Sequence, residues 1–177
     1  MRPAFFTVPE YAKEQEWLSN QHLQGWKLRK IIPPFFYKFE KCNPEEVVYQ
    51  LDYNPEGRTH KEEYVQMFRD CGWEHVLDYV GYSYFRKPLS EMKQEEEIFN
   101  DAASKLEMAK RIFRGKILPL LVIFIVIVIP MLIRLQEGVT GPERFLYGFF
   151  VGTFIVYLSL FIQYVMQYVK LRKNVRE

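Results

Sequence analysis

The chain has 177 residues and a formal net charge of +2, and 49% of its residues are hydrophobic. That length holds one domain plus a membrane unit, not two large domains, and the near-neutral charge supplies no general attraction to nucleic acid. Its two cysteines, Cys42 and Cys71, fall in no paired spacing, which argues against a disulfide framework and for free thiols in a reducing compartment.

The first eight residues contain no apolar run of signal-peptide length, and residues 4–8 read as a short strand. Residues 11–24 read as a helix that Gly25 stops. Residues 26–32 are a predicted strand, Pro33-Pro34 a turn, and 35–41 the returning strand. A second run follows in the same order. In residues 47–53 a strand places Val47, Tyr49, Leu51 and Tyr53 on one face. Residues 54–59 are turn-rich, and 60–71 form a helix with Tyr64, Val65, Phe68 and Cys71 as its apolar stripe. Gly72 stops that helix, residues 73–80 form a strand, Gly81 turns, and 82–87 return.

Superposing Gly25-Trp26 on Gly72-Trp73 exposes an internal repeat at an offset of 47 residues. Glu16-Trp17-Leu18 then falls on Glu63-Tyr64-Val65. After a one-residue slip in the hairpin turn, Phe39 and Lys41 fall on Phe85 and Lys87. The expected fold is therefore α+β over residues 1–89. Tandem strand–helix–strand–strand units form one sheet with both helices on one face, burying a core that neither unit completes alone.

Residues 90–116 are polar and helix-favouring, acidic at the front and basic at the back, as suits a connecting helix running to a membrane surface. Residues 117–133 and 145–169 carry no charge. The shorter run spans roughly 25 Å as a helix, near the lower limit for a bilayer core. A short loop, 134–144, makes the two spans antiparallel, and Pro130 is expected to kink the first. Lys105, Lys110, Arg111, Arg114 and Lys116 precede the first span, and Lys170, Arg172, Lys173 and Arg176 lie in the tail 170–177. The loop offers Arg134 and Arg144. This bias places both termini in the cytoplasm and the loop outside, in a multi-pass membrane protein.

No catalytic or nucleotide-binding fingerprint occurs, and His22, His60 and His75 match no zinc spacing, so neither an enzyme nor a metal or cofactor is expected. Glu16 and Glu63 recur at equivalent helix positions, where a solvated face is the plain reading and a paired acid site the alternative. The aromatics are the strongest lead. Strand neighbours alternate faces, so Trp17, Trp26, Phe35, Tyr37, Phe39, Tyr49, Tyr64, Trp73, Tyr82, Tyr84 and Phe85 cannot all enter one core. Core packing accounts for most, and a minority is expected to line a ligand cleft or partner surface. Asp52 or Glu40 beside them would favour a cationic ligand.

One set of segments carries a family resemblance: Glu14-Gln15-Glu16-Trp17-Leu18, Gly25-Trp26, Tyr37-Lys38-Phe39-Glu40-Lys41, Val48-Tyr49-Gln50-Leu51-Asp52-Tyr53, Glu63-Tyr64, Gly72-Trp73, Tyr84-Phe85-Arg86-Lys87-Pro88 and Ile98-Phe99. Together they resemble the bacterial domain-of-unknown-function family 2812. The resemblance implies C-terminal membrane helices and a link to PadR-like transcriptional regulators, and it implies no catalytic residues. Gln21 and His22 depart from it, standing where such sequences tend to be apolar. At fold level the doubled unit is also similar to effector-binding domains of multidrug-responsive regulators, which implies an aromatic cleft for greasy cations. The expected function is a membrane-tethered cytoplasmic sensor or adaptor in envelope or antibiotic-stress signalling. It would bind an amphipathic small molecule, such as a lipophilic cation, or a regulatory protein. The expected partners are the lipid bilayer, a PadR-like regulator or other membrane protein, and a second copy of the chain, with no direct nucleic acid contact. The rival readings are a structural interaction module without a small ligand and a subunit of an oligomeric membrane complex.

Overall fold

The computed structural model describes residues 1–7, 10–54, 60–92, 102–136 and 143–174. It divides into two compact units, Met1–Met108 and Ala109–Glu177. Residues 55–59 of the sequence-predicted turn at 54–59 and the greater part of the loop 134–144 lie outside the described residues, as do 93–101 of the connecting segment and the end of the tail.

In the first unit, β1 (Arg2–Pro3), α1 (Tyr11–Leu23), β2 (Trp26–Ile32) and β3 (Phe36–Lys41) are followed by β4 (Val47–Tyr53), α2 (Lys61–Asp70), β5 (Glu74–Tyr79) and β6 (Tyr82–Pro88). The tandem strand–helix–strand–strand order is thus present, in an α+β domain. Both helices end at a glycine with φ +82°, Gly25 and Gly72. Each glycine donates its N–H back into the helix at 2.8 Å, to the His22 and Arg69 carbonyls. A side chain at either position would be strained, and at Gly25 its Cβ would also meet the Cys42 carbonyl at 3.1 Å.

The repeat extends to its irregularities. Pairing between β2 and β3 skips Arg29, between Leu28 and Lys30, and pairing between β5 and β6 skips Val76, between His75 and Leu77. These bulges sit at the same 47-residue offset. The one-residue slip lies in the hairpin turns, since three residues separate β2 from β3 and two separate β5 from β6.

Three expectations are corrected. The strands form two three-stranded sheets, β1-β3-β2 and β4-β6-β5, instead of one. β2 and β5 lie near each other without a hydrogen-bonded ladder between them. The helices do not share a face. On β6, Tyr82 and Tyr84 point to α1, where Tyr11 packs on Tyr82 and Glu14 bonds Tyr84. Phe85 points the other way and stacks on Phe68 of α2 with ring centroids 3.9 Å apart. The reason is that β6 carries large side chains on both faces, so both need cover. Finally, residues 4–7 are not a strand. Phe6 turns inward onto Trp17 and Tyr37, and Thr7 closes a capping turn by donating its N–H and Oγ1 to the Glu10 carboxylate at 3.0 and 2.7 Å.

The C-terminal helices form a hairpin, most of which is the second unit. The first arm runs through α3 (Ala102–Ile112), α4 (Leu118–Ile123) and α5 (Ile129–Gln136), joined by π-turns at Phe113–Ile117 and Phe124–Val128. Each π-turn leads up to a proline, Pro119 or Pro130. A proline ring clashes with the carbonyl four residues back and removes one N–H, and widening the turn relieves both while the helix continues. The second arm is α6 (Glu143–Asn174). The arms are antiparallel: Phe113 stacks on Tyr164, while Phe124 meets Phe154, Tyr157 and Phe161. The stretches Ser104–Arg134 and Arg144–Lys173 are long and apolar enough to cross a membrane, which makes them candidate spans. Their outward residues, among them Ile125, Val126, Phe149 and Val165, are exposed apolar side chains.

Candidate functional site

The buried stripe of α1 comprises Tyr11, Glu14, Leu18, Gln21 and His22. A carboxylate on such a stripe needs partners. Tyr37 of β3 and Tyr84 of β6 supply them, each donating its hydroxyl to Glu14 Oε1 at 2.7 Å. Glu14 therefore sits where the two halves of the repeat meet. Burial raises its pKa above the ordinary 4.5, and the two tyrosine bonds oppose that shift. Burial, followed by the nearby Glu14 charge, holds both tyrosines far above the ordinary 10.0, so they remain protonated donors.

Beside this cluster lies a cavity of about 190 Å³. Its floor is Glu14, Tyr11, Tyr37, Tyr82 and Tyr84, all buried. Its rim is apolar and open, formed by Phe5 (75% exposed), Phe35 and Val80. Tyr79 ties the two hairpin turns together at the rim by donating its hydroxyl to the Pro34 carbonyl at 2.8 Å. Val80 and Gly81 have φ +50° and +84°, the mirror-image turn that suits a two-residue hairpin. For a β-branched residue such as Val80 that φ is strained.

The nine residues marked from sequence divide among several places. Tyr37 and Tyr84 line the cavity. Trp17 packs behind it, with ring centroids 5.0 Å from Tyr37 and 5.6 Å from Phe39. Tyr49 lies on the same buried face. Its hydroxyl accepts from the Leu28 N–H at 3.3 Å and lies 3.1 Å from His22 Nδ1. Burial, then Arg86, lowers the His22 pKa, which favours the neutral ring. Gln21 is matched by Arg2. Gln21 and His22 are thus buried and partnered. Asp52 and Tyr64 lie on the opposite face of the second sheet, with the Tyr64 hydroxyl donating to Asp52 at 2.6 Å. Trp73 joins Phe68 and Phe85 in the core under α2. Trp26 is half-buried, with Arg2 and Lys41 at 5.5 and 6.0 Å from its ring.

Glu14 and Tyr11 are not among the residues expected from sequence to line a site. Their signal is present in the helical spacing 11, 14, 18, 21, 22, which sets a carboxylate amid the inward stripe. Tyr82, one of the strand aromatics expected to divide between core and cleft, lies on the cavity floor. Glu40 instead pairs with Lys27 at 2.8 Å on an open surface, and Glu16 and Glu63 are exposed. No three His, Cys, Asp or Glu side chains converge as metal ligands among the described residues.

A second cavity, about 480 Å³, is lined by His22, Lys27, Glu45, Glu74, Arg86 and Glu91 among others. Its main cations are already matched. Arg86 holds Glu74 through two bonds of 2.5 and 2.6 Å, and Lys27 holds Glu40. The Glu14 cavity differs in offering a buried carboxylate whose hydrogen-bond partners among the described residues are two neutral hydroxyls, set among aromatic faces.

No curated protein and no solved structure matches the chain significantly. The family model described as "Protein of unknown function (DUF2812)" matches residues 10–123, which span both halves of the repeat and the start of the helical hairpin, and the chain belongs to that family.

Proposed function

We propose that this protein is a membrane-anchored cytoplasmic receptor for a small amphipathic cation, acting as a sensor or adaptor and not as an enzyme. The observation that carries this reading is Glu14, a buried carboxylate held by two tyrosine hydroxyls on the floor of an aromatic cavity. A cation entering there meets a charge in low dielectric and the faces of electron-rich rings, both of which favour it. About 190 Å³ is smaller than the roughly 300–1,000 Å³ of drug-sized pockets. The cavity therefore takes a cationic head group, with any apolar tail resting on the rim of Phe5, Phe35 and Val80. The two candidate spans supply the anchor, and the excess of Lys and Arg outside the short loop supports cytoplasmic termini.

The test is calorimetric titration of the full chain in neutral detergent with benzyltrimethylammonium and with its uncharged isostere. Micromolar binding of the cation, at least tenfold weaker in Glu14→Gln and absent for the isostere, is the expected result. Equal response to both compounds, or none to either at millimolar concentration, would overturn the reading and leave the protein-interaction module in front.

A further inference from the structure

On the first sheet the face opposite α1 carries no helix among the described residues, and its charge pattern is unusual. Tyr37 faces α1, so Phe36 and Lys38 on either side of it point outward. Lys38 is directly opposite Lys30 of β2, and Phe36 is opposite Ile32. Like charges facing each other across a ladder destabilise it. Neither Lys30 nor Lys38 forms a salt bridge among the described residues, and both are exposed. The neighbouring Lys27 and Arg29 share one carboxylate, Glu40, at 2.8 and 3.5 Å. The face thus presents four cations against one acid. Beyond the lysines the same sheet ends in exposed Phe35 and Phe36, whose rings lie 4.8 Å apart, and Phe35 together with the exposed Phe5 and Val80 forms the cavity rim.

We infer that this lysine-and-phenylalanine end of the first sheet docks on an anionic lipid surface, with the rings of Phe35 and Phe36 entering the headgroup region and Lys30 and Lys38 meeting lipid phosphates. The inference rests on the proposed cytoplasmic, membrane-anchored reading and adds to it how the ligand arrives. Aromatic rings partition to the headgroup level, and the cytoplasmic leaflet carries the negative charge that two facing lysines lack in the protein. The cavity opens at the same end. An amphipathic cation, concentrated in that leaflet, then reaches Glu14 without first dissolving in water.

The test uses the full chain in vesicles. Phe36→Cys, made in a Cys42→Ser/Cys71→Ser background, carries an environment-sensitive fluorophore, with Arg69→Cys on the exposed side of α2 as the control position. In vesicles with about a third phosphatidylglycerol, spin-labelled lipid should quench position 36 at least threefold more than position 69. In pure phosphatidylcholine, in 0.5 M salt, or with Lys30→Glu/Lys38→Glu, that difference should fall to near zero. Equal quenching at both positions in anionic vesicles would overturn the inference, as would strong quenching at 36 that ignores lipid charge and salt, or protection of 36 from both lipid and water by a protein partner. The lysine pair does not line the cavity, so Lys30→Glu/Lys38→Glu should still bind benzyltrimethylammonium in detergent. Failure of docking with cation binding intact sinks only this inference, whereas loss of cation binding in the wild type sinks the receptor reading beneath it.

Discussion

Tyr37 and Tyr84 come from different sheets and donate to the same oxygen of Glu14, each at 2.7 Å. Two neutral donors stabilise the carboxylate without neutralising it, and its pKa stays raised by burial. A carboxyl whose folded pKa is raised binds its proton more tightly in the folded state. Its stabilising contribution is present below the ordinary 4.5 and is lost as pH rises through the higher folded value. Glu14→Gln should therefore melt above the wild type at pH 8, with the gap closing towards pH 4. Cation binding has the opposite slope, because it needs the ionised form: wild-type affinity should rise with pH across the same window, and the Gln variant should show no such rise. Melting curves and titrations of the full chain in detergent at pH 4 to 8 check both slopes.

The equivalent tryptophans of the repeat are not energetically equivalent. Trp73 is buried against Phe68 and Phe85, whereas Trp26 is half-buried with two cations near its ring. Trp73→Ala should cost about 3–5 kcal/mol, as for a core aromatic. Trp26→Ala should cost about 1–2 kcal/mol, the scale of partial burial plus cation–π contact. Denaturant titration of the two variants compares them directly, and similar losses would contradict the packing described.

Trp73 also holds a buried Nε1 with no hydrogen-bond partner among the described residues. An unsatisfied buried donor costs about 1–3 kcal/mol. Trp73→Phe removes that cost along with some packing, so its loss should be well below that of Trp73→Ala, at about 1 kcal/mol.

Val80 is a β-branched residue at φ +50° beside Gly81. Val80→Gly should stabilise the domain by about 1 kcal/mol by removing that strain, read as a rise in the denaturation midpoint. An unchanged or lower midpoint would show that the rim contacts of Val80 outweigh the strain of its backbone.

Topology is testable without a ligand. With Cys42 and Cys71 changed to Ser, a membrane-impermeant thiol reagent applied to intact cells should label Gly138→Cys and leave a cysteine added at the C-terminus untouched. Labelling of the C-terminal cysteine alone would reverse the orientation.

Much of the fold is legible from residue pattern. The alternation of Val47, Tyr49, Leu51 and Tyr53 marks β4 and its buried face, and the glycines at 25 and 72 mark both helix ends. The placement of α2 was not legible. Tyr84 and Phe85 are adjacent bulky residues on one strand, which tells that both faces are covered but not by which helix. Residue pattern along a strand carries no signal for which helix covers which of its faces. Glu14 was missed for a different reason. A charged residue normally marks the wet face of a helix, and here the sequence pays for an exception with tyrosines 23 and 70 positions away. Asp52 drew notice because it lies among aromatics in sequence, but its partner is Tyr64, on the face away from the cavity.

The two-sided cover of β6 bears on how an occupied cavity would be felt elsewhere in the domain. Tyr84 bonds Glu14 on one side of the strand, and its neighbour Phe85 lies flat on Phe68 on the other. A central strand with solvent on one face can shift by letting that face relax, but β6 has no such slack. Any displacement of Tyr84 that moves the backbone must be taken up by the Phe85–Phe68 stack, and so by α2. The amides of α2, remote from the cavity floor, are therefore where hydrogen exchange is expected to register such a displacement.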